Sequence, residues 1–156
     1  WIHCFDNVTA VIFVAAISEY DQVLYEDNKT DRMSEAIKLF AEICNSQWFS
    51  KTSMILFLNK SDLFREKLPR IPFRVPGERN EDFTGPFAED GGDFEDAVTA
   101  AQDYILGKFV EVKRDDDKEI YHHITCATDT SNVEVVFNAA KDIILRLNLV
   151  SSGFMH

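Results

Sequence analysis

Residues 53–62 read Ser53-Met54-Ile55-Leu56-Phe57-Leu58-Asn59-Lys60-Ser61-Asp62, an apolar run that stops abruptly at a polar tetrad. Five successive apolar residues leave no polar face, which is the pattern of a strand covered by helices on both sides of a parallel sheet. Residues 8–17 (VTAVIFVAAI) repeat that character upstream, and residues 119–125 (EIYHHIT) form a third, weaker strand. Helical periodicity fills the gaps. Met33, Ile37, Phe40 and Cys44 run into Trp48-Phe49, a short helix is expected at 62–68, and Phe94, Ala97, Val98, Ala101 and Ile105 share one helix face. A last helix opens at Ser131-Asn132-Val133-Glu134, a capping-box sequence with Ser131 at the N-cap, and extends to about Leu149. Its apolar stripe is Val133, Val136, Phe137, Ala140, Ile144 and Leu147. Strands alternating with helices predict an α/β fold, a three-layer parallel sheet flanked by helices with right-handed crossovers.

The chain has 156 residues with 16 Lys or Arg against 27 Asp or Glu, a formal charge of −11. That charge argues against a general nucleic-acid binder, which needs a positive field to meet phosphates. With 46% hydrophobic residues the chain is too apolar for a disordered acidic segment, and its length suits one domain. The run at 8–17 is about half of what a membrane-spanning helix needs. Cys4, Cys44 and Cys126 are odd in number and far apart. They argue against a disulfide framework or structural zinc, and for a reducing compartment. All four prolines and four of the six glycines fall within 69–92, an expected irregular acidic surface loop. Three strands are half of an ordinary doubly wound sheet, so the strand at 8–17 is expected to present a bare apolar edge. Trp1-Ile2-His3-Cys4-Phe5 has no signal-peptide character, and the chain is read as a piece of something longer.

The tetrad Asn59-Lys60-Ser61-Asp62 lies between a buried strand and a helix, at the carboxyl end of the sheet where open α/β folds bind ligands. An Asp there can accept from the N1 and N2 donors of guanine, an Asn can meet N7 and O6, and a Lys stem can pack along the purine. Adenine lacks those two donors and would leave the carboxylate unpaired, at a cost of about 1–3 kcal/mol. The bland alternative is a polar strand-to-helix turn with Asp62 as N-cap. Thr125-Cys126-Ala127-Thr128 ends the third strand at the same edge. Its small residues would let a backbone N–H approach the guanine O6, though small residues also suit any tight turn. His122 and His123 are adjacent on a strand, point to opposite faces and cannot chelate one metal as a pair.

The order Trp1-Ile2-His3-Cys4-Phe5, the apolar strand, Leu39-Phe40 to Cys44-Asn45 with Trp48-Phe49, Leu56 to Phe64, and Thr125 to Thr130 resembles heterotrimeric G-protein α subunits over nearly the whole chain. The resemblance implies a P-loop NTPase fold of Ras-like type, with residues 1–156 as the carboxy-terminal half of that domain. The phosphate loop, the helical domain and the first switch would lie outside it. Asn59, Lys60 and Asp62 match the base-recognition motif, and Cys126, Ala127 and Thr128 match the loop that closes over guanine. Trp1, Cys4 and Phe5 match the stretch that packs on the β subunit. Residues 33–49 match the effector-facing helix and loop. Ile144, Leu147, Leu149, Gly153 and Phe154 match the helix end that enters an activated receptor. The implied cofactors are GTP or GDP with Mg²⁺, whose ligands are expected upstream. The implied partners are a G-protein βγ dimer, a seven-helix receptor and an effector enzyme, met at the cytoplasmic face of the plasma membrane through an upstream lipid anchor or through partners. Ser152 stands where the animal inhibitory subclass carries a toxin-modified Cys, and the loop at 70–92 is longer and more acidic than in animal members.

GTP hydrolysis needs a glycine-rich phosphate cradle with Lys, a Ser or Thr on Mg²⁺, an Arg and a water-positioning Gln. Neither Gly-x-x-x-x-Gly-Lys-[Ser/Thr] nor Asp-x-x-Gly-Gln occurs in this sequence. The parent is therefore expected to be the GTPase, with no catalytic or metal-binding residue in this stretch. The alternative is a truncated, non-hydrolysing module that binds only receptor or β subunit.

Overall fold

Three parallel strands in the order β1-β2-β3 form the sheet of the computed structural model, which describes residues 8–71, 73, 93–126 and 130–153. They are β1 (Ala10–Ala16), β2 (Ser53–Asn59) and β3 (Ile120–Ile124). Helix α1 (Arg32–Cys44) carries the chain from β1 to β2. Helices α2 (Ser61–Lys67) and α3 (Phe94–Glu111) lie between β2 and β3, and α4 (Thr130–Ser151) follows. Short 3-10 turns occupy Ile17–Glu19 and Gln47–Phe49. The strand register sets Ala16 opposite Asn59 and Leu58 opposite Ile124, so the three strands end level at one edge.

The expected α/β alternation is present, with corrections at the ends. Helix α2 begins at Ser61, one residue early, so Lys60 and not Asp62 occupies the N-cap. Helix α4 begins at Thr130, which puts Ser131 in the first turn rather than at the N-cap. Asp31 and Asp93 cap α1 and α3, accepting from the N–H groups of Ser34 and Glu95.

One face of the sheet carries the main core. Ala15, Met54, Leu56 and Leu58 are buried there against Met33, Phe40 and Cys44 of α1 and Val98, Ala101, Ile105 and Phe109 of α3. Phe40 sits edge-on to both Phe13 and Phe109, with ring centroids 5.1 and 5.4 Å away. Such pairs add about 0.5–1.5 kcal/mol beyond area burial. On the other face Ile55 and Phe57 meet Ala140, Ile143 and Ile144 of α4. Among the described residues α4 is the helix on this face, and Ile12 and Val14 of the edge strand β1 are 49% and 58% exposed, in line with the apolar edge the sequence predicts. Phe137, expected in the buried stripe, is 68% exposed, although it shares a helix face with the sheet-facing Ala140 and Ile144 three and seven residues on. The side chains of Val133 and Val136 lie outside the described ones.

The loop expected at 69–92 starts inside the core. Phe73 is buried among Tyr20, Phe64 and Tyr104. Tyr20 donates its O–H to the carbonyl of Ile71 (2.7 Å), and burial pushes its pKa up to about 12. Residues 74–92 lie outside the description.

Lys118 is buried just before β3, and its Nζ donates to the carbonyls of Cys44 (2.5 Å) and Phe49 (2.7 Å). Asn45 completes the clasp, donating to the carbonyls of Ala41 and Val112 and accepting from the Arg114 N–H. Replacing Lys118 with Met strips two inward-facing carbonyls of their donor. Lys118→Met is therefore expected to lower stability by about 1–3 kcal/mol, read as a lower melting temperature.

His123 stacks on Phe57 at 5.6 Å, and burial followed by the neighbouring His122 lowers its pKa below 6.5. The unfolded chain then takes up a proton at a higher pH than the folded one. Stability from this group is present above pH 6.5 and is lost as pH falls through the lowered value. His123→Phe keeps the ring and removes the proton site. Its melting temperature should fall less than the wild type's between neutral and mildly acidic pH, and equal falls would contradict the assignment.

Candidate guanine-recognition edge

The tetrad is shaped by hydrogen bonds that continue the β2-β3 ladder past the strand ends. The Thr125 N–H donates to the Leu58 carbonyl (2.9 Å), and the Ser61 N–H donates to the Thr125 carbonyl (3.1 Å). Asn59 is fixed by its side chain. Its Oδ1 accepts the Lys60 N–H at 2.8 Å and the Thr125 hydroxyl at 3.2 Å. With both lone-pair directions of that oxygen engaged, the amide nitrogen is left as the group able to donate to a ligand.

Lys60 turns the corner in the left-handed region, φ 60° and ψ 40°. A non-glycine residue there costs about 1–2 kcal/mol. The compensation is visible, since its N–H is held by Asn59 and its carbonyl accepts the Phe64 N–H at 3.0 Å, closing the first turn of α2. This bend sends the chain from the sheet into α2 and sets Asp62 in the first helical turn, where a carboxylate is favoured by the exposed N–H groups. The Asp62 Oδ1 is shielded from solvent.

Asn59, Lys60 and Asp62 thus gather at the carboxyl edge with Thr125 and Cys126. Cys126 is half-buried. Ala127 and Thr128 lie outside the described residues, as do Trp1, Cys4, Phe5 and Phe154. Of the predicted receptor-facing residues, Ile144 packs under the sheet, Leu147 is half-buried, Leu149 is 42% exposed, and Gly153 is exposed with φ 75°. Ile144, Leu147 and Leu149 sit on the half of α4 remote from its start at Thr130, and Gly153 lies two residues past its end.

Two contacts at this edge escape the sequence motif. Glu19 lies 3.7 Å from Lys60 Nζ and 3.2 Å from Arg32. Lys67 donates to the Ser18 carbonyl (2.9 Å) and to Asp21 (2.6 Å) and lies over the Tyr20 ring. An open cleft of about 520 Å³ runs between the segment after β1 and α2, lined by Ser18, Glu19, Lys60, Leu63, Lys67 and Arg70 among others. The signal in the sequence was an acidic residue three places past a strand that ends at the ligand edge.

The donor and acceptor set fits a guanine: an amide donor from Asn59, a carboxylate from Asp62 and a lysine stem between them. Parallel sheet, strand-to-helix tetrad and the neighbouring end of β3 together define a Ras-like α/β fragment. The chain belongs to the G-protein alpha subunit family, whose model matches residues 1–144. It is 52% identical over 155 residues to the guanine nucleotide-binding protein alpha-1 subunit of Mycosarcoma maydis. It is 50% identical over 155 residues to the alpha-1 subunit of Neurospora crassa and to the alpha subunit of Cryphonectria parasitica. Each match covers 99% of this chain, which spans 40% of the length of those relatives.

Proposed function

We propose that the protein carrying this chain is a guanine-nucleotide switch that couples a seven-helix receptor to effectors through a GTP/GDP cycle. Residues 1–156 supply the base-recognising, carboxy-terminal half of its Ras-like domain. The observation that carries this reading is the locked turn at Asn59, Lys60 and Asp62, bonded to the end of β3. In it Asp62 accepts from guanine N1 and N2, the Asn59 amide donates toward N7 and O6, and the Lys60 stem lies along the purine. Cys126, Ala127 and Thr128 close over the base.

Phosphate binding, Mg²⁺ and hydrolysis belong to residues upstream in the parent, consistent with the guanine nucleotide-binding relatives of which this chain matches 40%. Trp1, Cys4 and Phe5 meet the β subunit, and α1 with the Gln47–Phe49 turn meets the effector. Ile144, Leu147, Leu149, Gly153 and Phe154 meet the receptor. An upstream lipid anchor or the partners hold the assembly at the cytoplasmic face of the plasma membrane. Supporting the coupling is α4 itself, 22 residues without a break and so about 33 Å long, which joins the receptor end to the guanine loop.

Asp62→Asn tests the base reading in the full-length protein. The carboxamide loses one of the two acceptors facing guanine, so GDP affinity should fall by at least about 100-fold. Affinity for xanthosine diphosphate should rise, because its 2-oxo group accepts where guanine donates. Calorimetry with both nucleotides reads the outcome, and unchanged GDP affinity would contradict the assignment.

A further inference from the structure

Glu19 ends the 3-10 turn that directly follows β1, and the register that sets Ala16 opposite Asn59 brings this turn beside the tetrad. One oxygen of Glu19, Oε1, lies 3.7 Å from Lys60 Nζ and 3.2 Å from Arg32 Nη1. The carboxylate is thus shared between the tetrad lysine and the first residue of α1. Its side chain is 28% exposed, so solvent screens it less than an ordinary surface pair.

The backbone under Glu19 has little freedom. Ser18 before it is buried, and its carbonyl accepts from Lys67 Nζ at 2.9 Å. Tyr20 after it is buried and donates its hydroxyl to Ile71. Arg32, on the far side of the carboxylate, is anchored through its own N–H to the Gln22 carbonyl at 2.9 Å. Lys60 is held at its backbone by Asn59 and at its ammonium by Glu19. A lysine stem with four rotatable bonds loses much rotamer freedom when laid against a flat ligand. A lysine tethered at both ends has given up part of that freedom before the ligand arrives.

We propose that Glu19 is a positioning residue for the nucleotide site, holding the Lys60 ammonium, with Arg32 as its tether, so that the lysine stem is laid out for the purine in advance. This rests on the guanine reading of the tetrad. It places a residue from the segment after β1, outside the recognition motif, in control of how long the base stays bound.

The test is the dissociation rate of a fluorescent GDP from the full-length protein. Glu19→Gln keeps size and shape and removes the charge, and should speed release by about 2–5-fold at low ionic strength. The gap to wild type should narrow at high ionic strength. Glu19→Asp keeps the charge and shortens the stem, and should release within about twofold of wild type. A packing role would reverse the order, since Gln fills the space of Glu and Asp does not. Release from Glu19→Gln at the wild-type rate, or faster release from Glu19→Asp than from Glu19→Gln, overturns the proposal. Failure of the wild type to bind GDP overturns the guanine reading and this inference together, whereas GDP binding without the Glu19 effect removes the inference alone.

Discussion

The site depends on two backbone hydrogen bonds, from Thr125 to the Leu58 carbonyl and from Ser61 to the Thr125 carbonyl. They extend the β2-β3 ladder beyond the strands and hold the tetrad against the end of β3. A strand-to-helix turn in open solvent would sample many arrangements, and each polar group in it would bond to water. Here the Asn59 oxygen accepts from Lys60 and Thr125, which fixes the orientation of its amide. Pre-organisation of this kind places the ordering cost of a short polar motif on folding rather than on binding.

That rigidity is supported from below. β2 is buried from Met54 to Leu58 and paired with β1 and β3, which fixes where Asn59 leaves the sheet. The left-handed Lys60 is a strained residue sustained by this frame, and strained backbone gathers where structure serves recognition. Lys118 and Asn45 clasp the opposite end of the layer, joining α1, α3 and the entry to β3. The two ends of the sheet therefore do different work: one is tied down by buried donors, and the other presents polar groups outward.

The strands and the tetrad were legible because their signals are local. An apolar run ending in Asn59-Lys60-Ser61-Asp62 states both the burial and the edge, and helical spacing states the crossovers. What escaped the sequence depends on tertiary contact. Phe73 looked like part of a proline-rich loop, yet it is core, because Tyr20, Phe64 and Tyr104 leave an aromatic-sized space beside it. Phe137 looked like core and is exposed, although Ala140 and Ile144, three and seven residues on along the same helix face, meet Ile55 and Phe57. Lys118 and Glu19 gave no sign of their partners, which lie 74 and 41 positions away. The cap of α2 shifted to Lys60 because the Asn59 side chain bonds its N–H and bends the chain one residue early.

In the proposed function the β2-α2 turn and the end of β3 form one surface that recognises guanine. Hydrogen exchange of the full-length protein with GDP, with ADP and without nucleotide tests it most directly. GDP is expected to slow exchange at the amides of residues 59–63 and 124–126, ADP is not, and the Lys118 clasp is expected to be unchanged by either. Equal protection by ADP, or GDP protection that bypasses both segments, would contradict it.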